Sequence, residues 1–133
     1  MIIYIDGIFD LFHFGHLESF RKCKELNNNV FLIVGIVSDK DAKNYKREPI
    51  YCEKHRYILV ENCKYVDKVI INEEFMKKHL IDLVVHGFSN ENDKNNQGEF
   101  FSYPKSINKF QEIEYCKDIS TTDIINKIKN VYI

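Results

Sequence analysis

No tryptophan occurs in the 133 residues, and there are only two prolines and five glycines. So few chain breakers exclude a Pro- or Gly-rich low-complexity chain. No apolar run approaches the roughly 20 residues of a membrane span. The start, Met1-Ile2-Ile3-Tyr4-Ile5-Asp6, lacks the basic residues and apolar length of a secretion signal. The four cysteines, Cys23, Cys52, Cys63 and Cys116, form no CxxC pair. That spacing speaks against zinc and for reduced thiols in a cytoplasmic protein. Charge of one sign is not in excess either: 19 basic and 20 acidic residues leave a formal net charge of -1. There is no basic field to draw nucleic acid, so an anionic ligand must be held by local charges. What is present is 44% hydrophobic and 29% charged residues. That balance and length suit one soluble domain over residues 1–133.

Apolar runs alternate with helical periodicity along the chain. Ile2 to Ile5 reads as a buried strand closed by a turn at Asp6-Gly7. His16 to Leu26 carries Leu17, Phe20, Cys23 and Leu26 at helical spacing. Val30 to Val37 is continuously apolar, as in a central parallel strand covered on both faces. Ser38 to Ile50 is polar and reads as a loop bearing Lys43, Lys46 and Arg47. Cys52 to Cys63 reads as a helix with Tyr57, Val60 and the Ile58-Leu59 pair inward. A strand at Tyr65 to Ile71, a short helix at Glu73 to His79 and a strand at Asp82 to His86 follow. Ser89 to Gly98 has no apolar face and reads as a mobile loop. Ile113 to Tyr115 suits a last short strand. Ser120 caps a final helix with Ile124, Ile125, Ile128 and Val131 on its apolar stripe. This order predicts an α/β fold, a Rossmann-like doubly wound parallel sheet of about five strands. Ligands in such sheets sit beyond the carboxyl ends of the strands.

The most informative segment is DGIFDLFHFGH, Asp6 to His16. It leaves a strand at a glycine and enters a helix, where free N–H groups and the helix dipole favour an anion. Gly15 lets backbone approach a phosphate closely. His13 and His16, three apart, face one side of a first turn. Two imidazole donors beside an anion site suit nucleotidyl transfer, which needs positioning and charge neutralisation more than a protein nucleophile. HxxH alone equally describes two core or surface histidines. Metal ligation by the pair lacks a third ligand at convincing spacing.

The whole string resembles the GxFDxxHxGH signature of the cytidylyltransferases in the HxGH nucleotidyltransferase superfamily, most of all the choline-phosphate and ethanolamine-phosphate enzymes. The resemblance continues through LIVGIVSDK (Leu32 to Lys40), Lys46, Glu53-Lys54-His55-Arg56, Tyr65-Val66-Asp67-Lys68-Val69, Val85-His86-Gly87 and Ile119-Ser120-Thr121-Thr122-Asp123-Ile124. It implies that CMP passes from CTP, carried with Mg²⁺, to a phosphorylated alcohol, with pyrophosphate released. His13, His16 and Lys46 are the implied catalytic residues, Lys46 bridging CTP and the second phosphate. Gly7, Ile8, Phe9, Gly15, Arg56, His86, Ile119, Ser120, Thr121 and Thr122 are implied to bind CTP. Asp6 is implied to lie near the headgroup, with Tyr103 and Phe75 as possible walls. Asp10 reads as a structural acceptor pinning the turn. Without the resemblance, Lys46 reads as a solvated loop lysine, Arg56 as a surface ion pair and Ser120 as an ordinary helix cap. The family also implies a homodimer with its face near Arg56 and Tyr65-Val66-Asp67. Larger choline relatives continue into a membrane-binding helix; with the sequence stopping at Ile133, no lipid regulation is expected unless it is a fragment of a longer chain.

The sequence departs from the pattern too. Tyr115 and Asp118 stand where the family's RTxGIST(S/T) motif has Arg and Gly. Losing a charge-assisted contact costs about 1.5–3 kcal/mol. Lys117 is a candidate substitute, and Asp118 is expected to bring negative charge toward the phosphates. The acidic pair usual after the fourth strand is replaced by Gly87-Phe88-Ser89. The alternatives are therefore a catalytically weakened CTP- or CDP-alcohol-binding module, a glycerol 3-phosphate cytidylyltransferase, or an adenylyltransferase.

Overall fold

A computed structural model describes residues 1–71 and 81–133. The helix expected over Glu73 to His79, and Phe75 within it, lie outside the described residues. Five parallel strands, β1 (Ile2–Gly7), β2 (Phe31–Ile36), β3 (Lys68–Ile71), β4 (Leu83–His86) and β5 (Phe110–Glu112), form one sheet in the order β3-β2-β1-β4-β5. The expected α/β class is therefore found. Successive strands step outward from β1 on one side, then the chain crosses to β4 on the other. The crevice beyond β1 and β4 is the switch point where such sheets bind ligands.

Alternation along the strands divides the core. Ile3, Ile5, Leu32, Val34, Ile36 and Val85 pack with Phe9, Phe20, Cys23 and Val60 on one face. Tyr4, Ile33 and Val84 pack with Ile81, Phe88 and Phe101 on the other. Gly35 admits the Tyr4 ring: a Cβ there would collide with the Tyr4 hydroxyl. Fully burying one such aliphatic or aromatic side chain is worth about 1.5–3 kcal/mol.

Helix α1 (Phe14–Glu25) follows β1, and α3 (Glu53–Glu61) precedes β3. Between β2 and α3 the expected loop is partly a helix, α2 (Asp39–Tyr45). Its sequence shows little apolar period, yet Ser38 caps it by accepting from the Asp41 N–H at 3.2 Å, and Ala42 is fully buried. The polar run expected to be a mobile loop also contains a helix, α4 (Glu91–Gln97). The Asn90 side chain accepts from the Asp93 N–H at 2.8 Å, and Asp93 accepts from the Ser89 N–H and hydroxyl. Local capping, with Phe88 and Phe101 buried on either side, replaces an apolar face. A 3₁₀ turn (Gly98–Phe101) and α5 (Ser102–Ser106) lead to β5, three residues earlier than the strand expected at Ile113.

Helix α6 (Thr121–Lys127) passes into a π turn (Ile128–Tyr132). Ile124 and Ile125 are half-buried, but the expected stripe ends there: Ile128 and Val131 are exposed. On α3 the inward residues are Val60, half-buried Tyr57 and, unexpectedly, Arg56; Ile58 and Leu59 face outward.

Arg56 is fully buried. Its Nε donates to the Tyr51 carbonyl at 3.0 Å, and Nη1 donates to the carbonyls of Ile8 and Val37, both at 2.8 Å. Nη2 donates to Asp39 Oδ1 at 2.7 Å. One guanidinium thus ties the loops after β1 and β2 to the start of α3. Removing it strands three carbonyls and a carboxylate. We expect Arg56→Met to lose about 3–5 kcal/mol of stability, read as a lower urea midpoint; an unchanged midpoint would contradict the clasp.

Candidate functional site

The loop after β1 is held under strain. Phe9 and Leu11 adopt left-handed backbone, with φ 55° and 48°. Such conformations cost a non-glycine residue on the order of 1–3 kcal/mol each. Two features offset this. The Phe9 ring is buried against Phe20 and meets His16 edge-on at 5.3 Å. Asp10, between the strained residues, is buried and accepts from the N–H groups of Leu11 (3.0 Å), Ile50 (2.7 Å) and Tyr51 (2.9 Å). Asp10 therefore pins the turn and ties it to the segment just after Lys46 and Arg47.

The two histidines cap α1 reciprocally. His13 is the N-cap: its Nδ1 accepts from the Gly15 N–H at 3.0 Å, while its own N–H donates to His16 Nδ1 at 3.2 Å. A neutral imidazole has one acceptor nitrogen, so each ring carries its proton on Nε2, the far edge. The rings stack with centroids 3.7 Å apart at 21°. Burial, then the neighbouring His13 and Lys46, push the pKa of His16 down to about 3. Burial lowers that of His13, partly opposed by Asp123. Both rings are thus neutral N–H donors near pH 7.

The cleft beyond β1 and β4 measures about 780 Å³, within the ~300–1,000 Å³ of small-molecule sites. It brings together Asp6, Gly7, Ile8, Phe9, His13, His16, Lys46, His86, Ser120, Thr121 and Thr122 of the expected site residues. Two hydroxyls there are already engaged: Ser120 accepts from the Asp123 N–H at 3.0 Å, and Thr121 donates to the Asp10 carbonyl at 3.0 Å. His86 ends β4 between the rings of Phe88 and Phe101, both at 4.7 Å. Its buried Nδ1 has no hydrogen-bond partner among the described residues and lies 3.7 Å from Asp6 Oδ1, beyond hydrogen-bond reach. An unpaired polar atom on a cleft-lining residue is a place for a ligand group.

Several expectations are corrected. Arg56 is neither a surface ion pair nor a phosphate fork at the cleft; its guanidinium is enclosed and bonded to the loops. Gly15 and Ile119 do not line the cleft. Gly15 is needed for another reason, since a Cβ there would lie 2.9 Å from the His13 ring and 3.2 Å from the Ile119 carbonyl. Tyr103 is half exposed and away from the cleft, where Phe100 and Phe101 stand instead. Asp118 and Lys117 are exposed in a separate shallow groove, so neither charge lines the cleft. Tyr115 does line it; burial, with Asp93 and Asp123, raises its phenol pKa, so it is neutral. Sequence reasoning missed Arg47 as a cleft residue, although it adjoins Lys46 in the same basic loop.

A family model described as cytidylyltransferase-like matches residues 4–127. Choline-phosphate cytidylyltransferase 2 of Arabidopsis thaliana is 38% identical over 98% of this chain and 45% of its own length. Ethanolamine-phosphate cytidylyltransferase of the same plant is 40% identical over 96% of this chain and 32% of its own. The chain thus spans less than half of either relative. The crystal structure of the lipopolysaccharide core biosynthesis protein from Thermoplasma volcanium GSS1 matches with a TM-score of 0.70 at 26% identity, over 88% of this chain and 98% of that one.

His16 also sets a pH dependence. The folded ring resists protonation down to about pH 3, whereas an unfolded imidazole takes a proton near 6.5. Between those values the unfolded state binds more protons, so stability is full above about pH 6.5 and falls as pH drops toward 3. The slope approaches ~1.4 kcal/mol per pH unit for one group. Urea midpoints between pH 7 and pH 4 should decline more steeply for the native chain than for His16→Asn, whose amide oxygen can still accept from the His13 N–H; parallel declines would refute the assignment.

Proposed function

Because this chain belongs to the cytidylyltransferase-like family, we propose that its cleft transfers CMP from CTP to a phosphorylated alcohol, phosphocholine or phosphoethanolamine, and releases pyrophosphate. The reading rests on one observation: His13 and His16 are locked by their caps as two stacked N–H donors lining the cleft at the carboxyl ends of β1 and β4. A phosphate oxygen of the alcohol attacks the α-phosphorus in line. The new P–O bond forms as the bond from that phosphorus to the bridging oxygen breaks, and the electron pair leaves on pyrophosphate. Negative charge grows on the non-bridging oxygens, where preset donors stabilise it without reorganising. Lys46, exposed at the end of α2 and lining the cleft, lowers the repulsion between the two approaching anions.

Mg²⁺ is usually held by one or two carboxylates together with substrate phosphates. Asp6, Asp41 and Asp93 line the cleft as separate carboxylates, and the described residues include no group of three or more ligands for a metal. That pattern fits an ion that arrives on the nucleotide, where it neutralises phosphate charge. The headgroup end is served by Asp6 and the His86–Phe101 wall. Among the described residues, no helix is long and apolar enough to cross a membrane; we place the activity in the cytoplasm.

Neutral Tyr115 in the cleft favours a second reading, a module that binds CTP without turnover. Pyrophosphate release, measured with CTP and phosphocholine, phosphoethanolamine or glycerol 3-phosphate, separates the two; CTP binding with no release from any pair would sink the catalytic reading. Asn is a good N-cap, so His13→Asn should keep the fold while deleting the Nε2 donor. Its turnover should fall by about 10²–10³.

A further inference from the structure

The cleft is short of positive charge for a triphosphate. His13 and His16 supply N–H groups but no net charge, since each Nδ1 already accepts from a backbone N–H. Ser120, Thr121, Thr122 and Tyr115 are neutral. Among the described residues, the permanent cations lining the cleft are Lys46 and Arg47, against the carboxylates of Asp6, Asp10, Asp41 and Asp93. Without Arg47, one cation would face four carboxylates and an incoming polyanion.

The backbone delivers both cations to one place. Consecutive residues of an extended chain point to opposite sides. Lys46 closes α2 with φ -139° and ψ -71°, neither helix nor strand, and Lys46 and Arg47 both line the cleft. Asp10 then fixes the next turn through the N–H groups of Ile50 and Tyr51. Arg47 is half-buried, and among the described residues its guanidinium makes no hydrogen bond or ion pair. The other arginines are committed: Arg21 to Glu18 and Glu25, Arg56 to Asp39 and three carbonyls. A partly desolvated guanidinium without a partner is unfavourable until an anion reaches it, and its planar fork matches phosphate oxygens.

We propose that Arg47 is a phosphate-binding residue of the cleft, forking onto the β- and γ-phosphate oxygens of the nucleotide while Lys46 serves the phosphate that attacks. The proposal rests on the reading of the cleft as a nucleoside-triphosphate site. Positive charge from Arg47 then does work that Tyr115, neutral in the same cleft, does not do.

Calorimetry with CTP, inorganic tripolyphosphate and cytidine tests it on the full chain. Arg47→Ala should weaken CTP and tripolyphosphate by about ten- to hundredfold and leave cytidine unchanged. Arg47→Lys, a point charge without the fork, should fall between. The unliganded melting point should not move, because Arg47 has no partner to lose among the described residues; Arg47→Gln, which keeps the stem, replaces Arg47→Ala if it does. Tripolyphosphate affinity within about twofold of the native chain overturns the proposal, as does a native chain that binds no tripolyphosphate. Arg47-dependent binding of tripolyphosphate without binding of CTP leaves Arg47 an anion ligand and removes the nucleotide reading instead.

Discussion

A neutral imidazole has one nitrogen lone pair to offer, and His13 and His16 both commit it to a backbone N–H in the first turn of α1. The same two bonds satisfy helix donors that would otherwise lack partners and set the tautomer of each ring. Helix capping and the direction of the cleft's N–H donors are thus one arrangement. Gly15 is part of it, because any Cβ there would press on the His13 ring. Desolvation keeps the rings neutral, and neutrality keeps the caps intact, since a second ring proton would occupy the nitrogen that accepts.

That arrangement is held from outside by two buried charged residues. Asp10 collects three N–H groups from two loops, and Arg56 binds three carbonyls and one carboxylate from neighbouring segments. Their bonds are complementary in kind: one residue accepts only, the other donates only. Both polar groups are compensated, as burial demands. Together they stabilise the left-handed Phe9 and Leu11 and hold the segment that carries Lys46 and Arg47 against the β1 loop. The strained turn, the basic segment and the start of α6, joined by the Thr121–Asp10 bond, meet on one side of the sheet.

The division of labour inside the cleft follows. Neutral donors come from a helix cap, where geometry is fixed to the backbone. Net charge comes from the end of α2, where longer side chains reach in. The end of the cleft at β4 has a carboxylate, an imidazole nitrogen unpaired among the described residues, and aromatic rings. The relatives named for choline phosphate and ethanolamine phosphate both match nearly the whole of this chain.

Parallel architecture, strand order of appearance, the turn after β1 and its two histidines were legible in the residues alone. Each depends on neighbours a few positions apart: apolar runs make covered strands, and a glycine and two histidines three apart make a capped turn. Other features depended on partners far along the chain. Arg56 looked like a surface or phosphate-binding cation until its contact with Ile8, 48 residues away, placed it in the core. Arg47 looked like any loop charge until the tie from Asp10 to Ile50, 40 residues on, folded its segment over the cleft. The polar helices α2 and α4 were missed because caps and flanking aromatics hold them, and neither leaves a 3.6-residue apolar period. Local pattern therefore determined which elements form and where chemistry begins. Only long-range closure decided which charges are buried clasps and which remain free to meet a ligand, because burial is a property of what packs on a residue and not of the residue itself.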